Sequence, residues 1–181
     1  DALSEAAQQA ERDVGVYVEV DLGMHRVGVQ SVDDVIALAR RACEQPRTRF
    51  AGVTFYPGHI REHVGEQQGK LDRLRNDLEG LVEQMDRAGC APPVLSGGST
   101  PLAWRAHELP LVREVRPGTY VYNDRGTSEI GACDWDDCAL TVLATVVSTA
   151  VPGQAVVDTG SKALGRGPLR GGSAGGFGWL A

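Results

Sequence analysis

Lysine is nearly absent from this sequence: Lys70 and Lys162 stand alone among 181 residues. Even with the arginines counted, 18 basic side chains face 24 acidic ones, for a formal net charge of −6. Neutralising a phosphate backbone needs clustered Lys and Arg, so a nucleic-acid partner is excluded. Cysteine is scarce as well. Cys43, Cys90, Cys133 and Cys138 are too few for a disulfide scaffold and lack the C-x-x-C pairs of a zinc ribbon, and the single C-x4-C of Cys133 and Cys138 reads as incidental. No apolar run approaches the ~20 residues that a membrane span needs. The opening segment, Asp1 to Asp13, has neither the basic nor the apolar region of a targeting signal. These absences lead to the expectation of a cytoplasmic protein with no membrane partner. What is present, 42% hydrophobic and 23% charged residues, suits one substantial core and is short for two.

Periodicity supplies the elements. Ala2 to Arg12 is rich in helix formers, and "VGVYVEVDL" then changes to period-two apolar spacing with β-branched residues, which predicts helix then strand. Ser31 precedes "VDDVIALARRACEQ", with Val35, Leu38, Ala39 and Ala42 at helical spacing, acidic residues in the first turn and arginines late: a capped amphipathic helix. "FAGVTFY" predicts a second strand. Glu62 to Ala88 predicts a long helix with Leu71, Leu74, Leu78, Leu81, Val82 and Met85 on one face, ending at Gly89. "APPVLSGGSTPLAWRAHEL" reads as a strand, a glycine turn and a short helix with Pro101 near its start, and "LVREVRPGTYVYND" as a fourth strand. Strands alternate with helices that can serve as parallel crossovers, so the fold class is α/β. From about Ala139 two β-rich runs flank Pro152-Gly153, which predicts a β-rich region over 131–181 after a first domain over 1–130. The glycine-rich tail reads as a loop.

In parallel α/β folds, chemistry gathers where strands end. The ends here carry Asp21, Gly23, His25 and Arg26; then Tyr56, Gly58 and His59; then "SGGST" at 96–100; then Arg116, Gly118, Thr119 and Tyr122. A Gly-Gly-Ser-Thr turn opening a helix offers backbone N–H groups and hydroxyls to an anion. Tyr56 offers a flat face for a ring. "HIREH" at 59–63 also fits the H-x-x-E-H pattern of inverted zinc peptidases, with His59 and His63 as ligands and Glu62 as base. Against that stand the preceding Pro57-Gly58 and the want of a third acidic ligand on a clear downstream helix.

"VDLGMHRVGV", "FAGVTFYPGH", "SGGSTP" and "VRPGTYVYND", in this order and spacing, resemble the second half of the barrel of fold-type III pyridoxal-phosphate enzymes, the alanine-racemase-like fold. "RPGTYVYND" and "CALTVLATVVS…VVDTGSKAL" resemble more specifically the D-threonine aldolase and D-serine dehydratase branch. The likeness implies the second half of a (β/α)8 TIM-type barrel followed by the start of a C-terminal β domain. It implies pyridoxal 5'-phosphate as cofactor, its phosphate on Gly98, Ser99, Thr100, Gly118 and Thr119. It places Arg26 beside the phenolic oxygen of the cofactor ring, Tyr56 against the ring and His59 in the pocket wall. Arg116 matches the racemase arginine that meets the pyridine nitrogen. The implied activity is a metal-assisted aldolase or dehydratase acting on a D-3-hydroxyamino acid, with a small-molecule substrate and a homodimer as the assembly. A racemase of the same fold and a non-catalytic cofactor-binding protein are the alternatives.

Two parts of the family pattern are missing. The Schiff-base lysine lies at the end of the first barrel strand, and neither Lys70 nor Lys162 matches it, so no residue of this chain is assigned a catalytic role. The divalent-metal ligands of the branch lie near its C-terminus, yet after Lys162 there is no His, Cys, Asp or Glu. The expectation is a functional molecule that includes about another half barrel.

Overall fold

The computed structural model describes residues 1–160, 162 and 163. It divides into two compact units, the first ending at Gly118 and the second beginning at Thr119.

The first unit is a three-stranded parallel sheet with helices in its connections. Helix α1 (Ala2–Gln9) leads into β1 (Val14–Glu19), α2 (Val32–Glu44) joins β1 to β2 (Thr48–Phe55), and α3 (Gln68–Arg87) joins β2 to β3 (Leu95–Gly97). The strand order is β1-β2-β3. At α2 the expected cap is in place: the Ser31 hydroxyl accepts from Asp34 N–H at 3.1 Å, with Asp33 and Asp34 at the positive end of the helix dipole. Leu38 departs from its predicted face and is exposed, while Val35 and Ala39 are fully buried. In α3 the stripe Leu71, Leu74, Leu78, Leu81 and Met85 packs with Val53 and Phe55 of β2 and Leu95 of β3 into one core. The helix starts at Gln68, later than predicted. Glu62 and His63 are committed elsewhere: Glu62 pairs with Lys70, and the His63 ring accepts from Gly65 N–H to cap a short 3-10 turn, Val64–Glu66.

The pairing of β1 with β2 is irregular. Val16 stands opposite Phe50 and Tyr17 opposite Gly52, so Ala51 is an extra residue on β2. Gly52 takes φ +152° there, and a Cβ on it would overlap the Val94 carbonyl oxygen and crowd the Tyr17 ring, whose phenol donates to the Glu114 carboxylate at 3.2 Å. The fourth strand predicted from "LVREVRPG" is reduced to one parallel bridge, Ser96 to Glu114. Pro110 and Pro117 bracket that run, and neither can donate to a ladder.

In the second unit Asp124 caps α4 (Arg125–Glu129), accepting from Thr127 N–H at 2.8 Å. The two predicted β runs form a short antiparallel pair, β4 (Val146–Ser148) with β5 (Val156–Val157), around a turn with Gly153 at φ +78°. Among the described residues no helix is long and apolar enough to cross a membrane. The predicted glycine-rich loop, 165–181, lies outside the described residues.

Candidate functional site

After β1 the chain does not continue as strand. It folds into a turn that returns to the sheet at Val29, which bridges to Val20, with Asp21 N–H donating to Val29 O at 3.0 Å and Val29 N–H to Glu19 O at 2.9 Å. Arg26 is carried on this turn. Its guanidinium carbon stands 4.5 Å from the centroid of the Tyr56 ring, a cation–π contact between the turn after β1 and the end of β2. Glu19, Asp21, Met24 and Val27 line the same shallow cleft.

Tyr56, the first residue beyond β2, is half-buried, and its orientation depends on Gly58, where any Cβ would overlap the phenol ring. His59 lies under the β1 turn, its ring edge about 3 Å from where a Gly23 Cβ would stand. Its Nδ1 is buried without a protein partner. Burial first, and then the charge of Lys70, hold its pKa below the usual histidine value, only partly offset by Glu62 and Asp21. The context of 59–63 also differs from that of a zinc peptidase: His59, Glu62 and His63 precede α3 in an irregular segment, and no helical turn spaces the histidines.

At the end of β3, Gly97 packs against the Phe55 ring so closely that a Cβ would overlap it. Gly98 takes φ +139°, a backbone that side chains rarely tolerate. It delivers Ser99 and Thr100, both buried, to the start of a nine-residue 3-10 helix, Thr100–Glu108, with Pro101 in its first turn. The Ser99 hydroxyl caps nothing and has no protein partner. A buried, unpartnered hydroxyl beside a glycine at a helix N-terminus is the donor set that an anion requires.

Arg116 ties two strand ends together. One of its guanidinium nitrogens donates to the Thr54 hydroxyl, to Phe55 O at 3.2 Å and to Ser96 O at 3.4 Å. Gly118 is exposed with open space around it, and Thr119 begins the second unit as the first residue of a 3-10 turn, Thr119–Val121. The first unit thus brings Arg26 onto Tyr56, and Arg116 onto the ends of β2 and β3. Two contributors escaped the sequence reading. Thr54, the penultimate residue of β2, had no signal. Gln67 had a faint one in its place before α3; fully buried, it donates to Glu62 O at 3.0 Å and Pro101 O at 3.2 Å, linking the two loops.

The profile of the alanine racemase N-terminal domain matches residues 1–126. The chain belongs to that family. A second profile, that of a serine dehydratase domain, matches residues 139–180. Among curated relatives of this family member, the 3-hydroxy-D-aspartate aldolase of Paracoccus denitrificans (strain Pd 1222) is 30% identical over 89% of the chain and 44% of its own length. The D-threo-3-hydroxyaspartate dehydratase of Delftia sp. (strain HT23) is 38% identical over 83% and 41%. Among solved structures, D-threonine aldolase from Filomicrobium marinum superposes with a TM-score of 0.77 at 28% identity, covering 90% of the chain and 46% of that structure. The chain therefore spans under half the length of the curated relatives it matches.

Proposed function

We propose that this chain forms one wall of the cofactor site of a pyridoxal-phosphate lyase that cleaves or dehydrates D-3-hydroxyamino acids. The observation that carries the reading is the unpartnered, buried Ser99 hydroxyl beside Gly98 at the head of a helix. That arrangement fits a phosphate, and its neighbours at the strand ends fit a ring. Ser99, Thr100 and the backbone after Gly98 hold the phosphate; Arg26 orients the phenolic oxygen, and Tyr56 bounds the ring. Arg116, occupied by Thr54, Phe55 and Ser96, holds the strand ends in place. When bound, pyridoxal phosphate supplies an electron-withdrawing ring that stabilises negative charge on the substrate carbon. His59, held toward its neutral form, keeps positive charge off the inner side of the Arg26 turn.

The resemblance to the aldolase and dehydratase branch also carries a divalent metal and a homodimer. Among the described residues no group of three or more His, Cys, Asp or Glu is placed to hold a metal.

The test is to add pyridoxal phosphate to the complete protein and record its absorbance before and after borohydride. The holoenzyme is then assayed on D-threonine, D-serine and 3-hydroxy-D-aspartate with and without chelator. A reducible adduct and turnover of at least one of these substrates is the expected result. No adduct overturns the reading, and an adduct with no turnover of D-3-hydroxyamino acids replaces it with a non-catalytic binder or a racemase.

A further inference from the structure

Three residues in the turn after β1 have left-handed backbone: Gly23 at φ +109°, His25 at +53° and Gly28 at +102°. Two are glycines. His25 is not, and a side chain in that region costs conformational energy unless neighbours impose it.

Asp21 imposes it. Its side chain is 2% exposed. Oδ1 accepts from Gly23 N–H at 2.9 Å and from His25 N–H at 3.0 Å; Oδ2 accepts from Gln30 Nε2 at 3.1 Å and lies 3.3 Å from His25 Nδ1. One carboxylate therefore grips both the backbone and the ring of the residue just before Arg26. The direction in which Arg26 leaves the chain, toward the Tyr56 ring, follows from that grip. The hydrogen bonds from His25 and Gln30 also lower the Asp21 pKa to about 2, so the group is a carboxylate at any working pH.

We propose that Asp21 is the positioning residue for Arg26, holding His25 in its left-handed conformation so that the guanidinium is presented over Tyr56 to the bound cofactor. This role rests on the cofactor reading above. It differs from a general structural role because it acts through one other side chain.

A double-mutant cycle on the complete protein tests it, with the dissociation constant of pyridoxal phosphate, followed by absorbance and near-ultraviolet circular dichroism, as readout. D21A, which removes both acceptor oxygens, weakens binding at least tenfold in the wild-type background and leaves it unchanged in R26A. D21A/H25G recovers part of the loss, because glycine adopts the left-handed conformation without help. If D21A does not accumulate folded, D21S, whose one shorter acceptor does not hold the Gly23 amide, the His25 amide and the His25 ring together, takes its place in the cycle. Equal weakening with and without Arg26, or no weakening, overturns the role of Asp21 while leaving the cofactor reading intact. A wild-type protein that does not bind pyridoxal phosphate overturns both.

Discussion

Ser99 and His59 each present a buried polar atom without a protein partner, and they call for different experiments. Ser99→Ala removes a hydroxyl that supports nothing in the protein itself, so its urea midpoint should stay within experimental error. Pyridoxal-phosphate affinity should fall roughly tenfold, the value of about 1.5 kcal/mol for one hydrogen bond to a charged group. A loss of stability without a loss of affinity would make Ser99 a packing residue. At His59 the measurement is stability against pH. Its folded pKa lies below the unfolded value of 6.5, so the unfolded chain binds the proton more readily. Stability therefore falls as pH drops below 6.5 and levels off once pH passes the folded pKa. His59→Gln should flatten that limb in denaturant titrations across the range, whereas an unchanged profile would show that His59 is not its source. Arg26 and Tyr56 were legible one at a time, as odd residues at strand ends. Their stacking was not, because no local spacing reports a contact between positions so far apart in the chain.

At the scale of elements, α3 is the test of what holds the sheet in place. Leu74 is 3% exposed within its apolar stripe, and Leu74→Ala should cost about 2–5 kcal/mol through lost burial and the cavity left behind. Urea unfolding of the complete protein would show a lower midpoint at unchanged slope. A smaller loss would mean that the stripe carries little of the stability. The stripe was legible in the sequence because a helix repeats its buried positions every three or four residues, and the Ser31 cap because its acceptor lies three residues from its donor. The start of α3 was not legible. Periodicity allowed helix from Glu62, but the pairing of Glu62 with Lys70 and the capping role of His63 belong to tertiary structure and moved the start to Gln68. The fourth strand was over-read for a related reason. Its apolar residues fit a strand, yet with a proline at either end it holds to β3 by a single bridge.

At the scale of the whole molecule, the second unit leaves large apolar side chains uncovered: Leu143 is 98% exposed and Leu140 82%, with Val147 at 61%. Patches of this kind drive association. The 181-residue chain produced by itself should bind a hydrophobic dye and scatter light increasingly with concentration, and the complete protein should do neither; equal behaviour of the two would show that nothing in the complete protein covers the patch. Within the first unit, the extra residue Ala51 in β2 has a different kind of consequence. It works as an index mark between the two halves of the strand. Upstream of it β2 keeps step with β1 as Val16 to Phe50, and downstream as Val18 to Val53. Because Ala51 stands opposite no residue of β1, deleting it would leave Tyr17 opposite Gly52 and Val18 opposite Val53, so the downstream half would keep its partners and lose only the local bend. A residue added between Gly52 and Tyr56 would instead shift every later position by one, turn Tyr56 to the side that Phe55 now fills and take from Arg26 the ring on which it rests. This segment of the family fold should therefore tolerate loss of the residue at position 51 far better than an insertion after it.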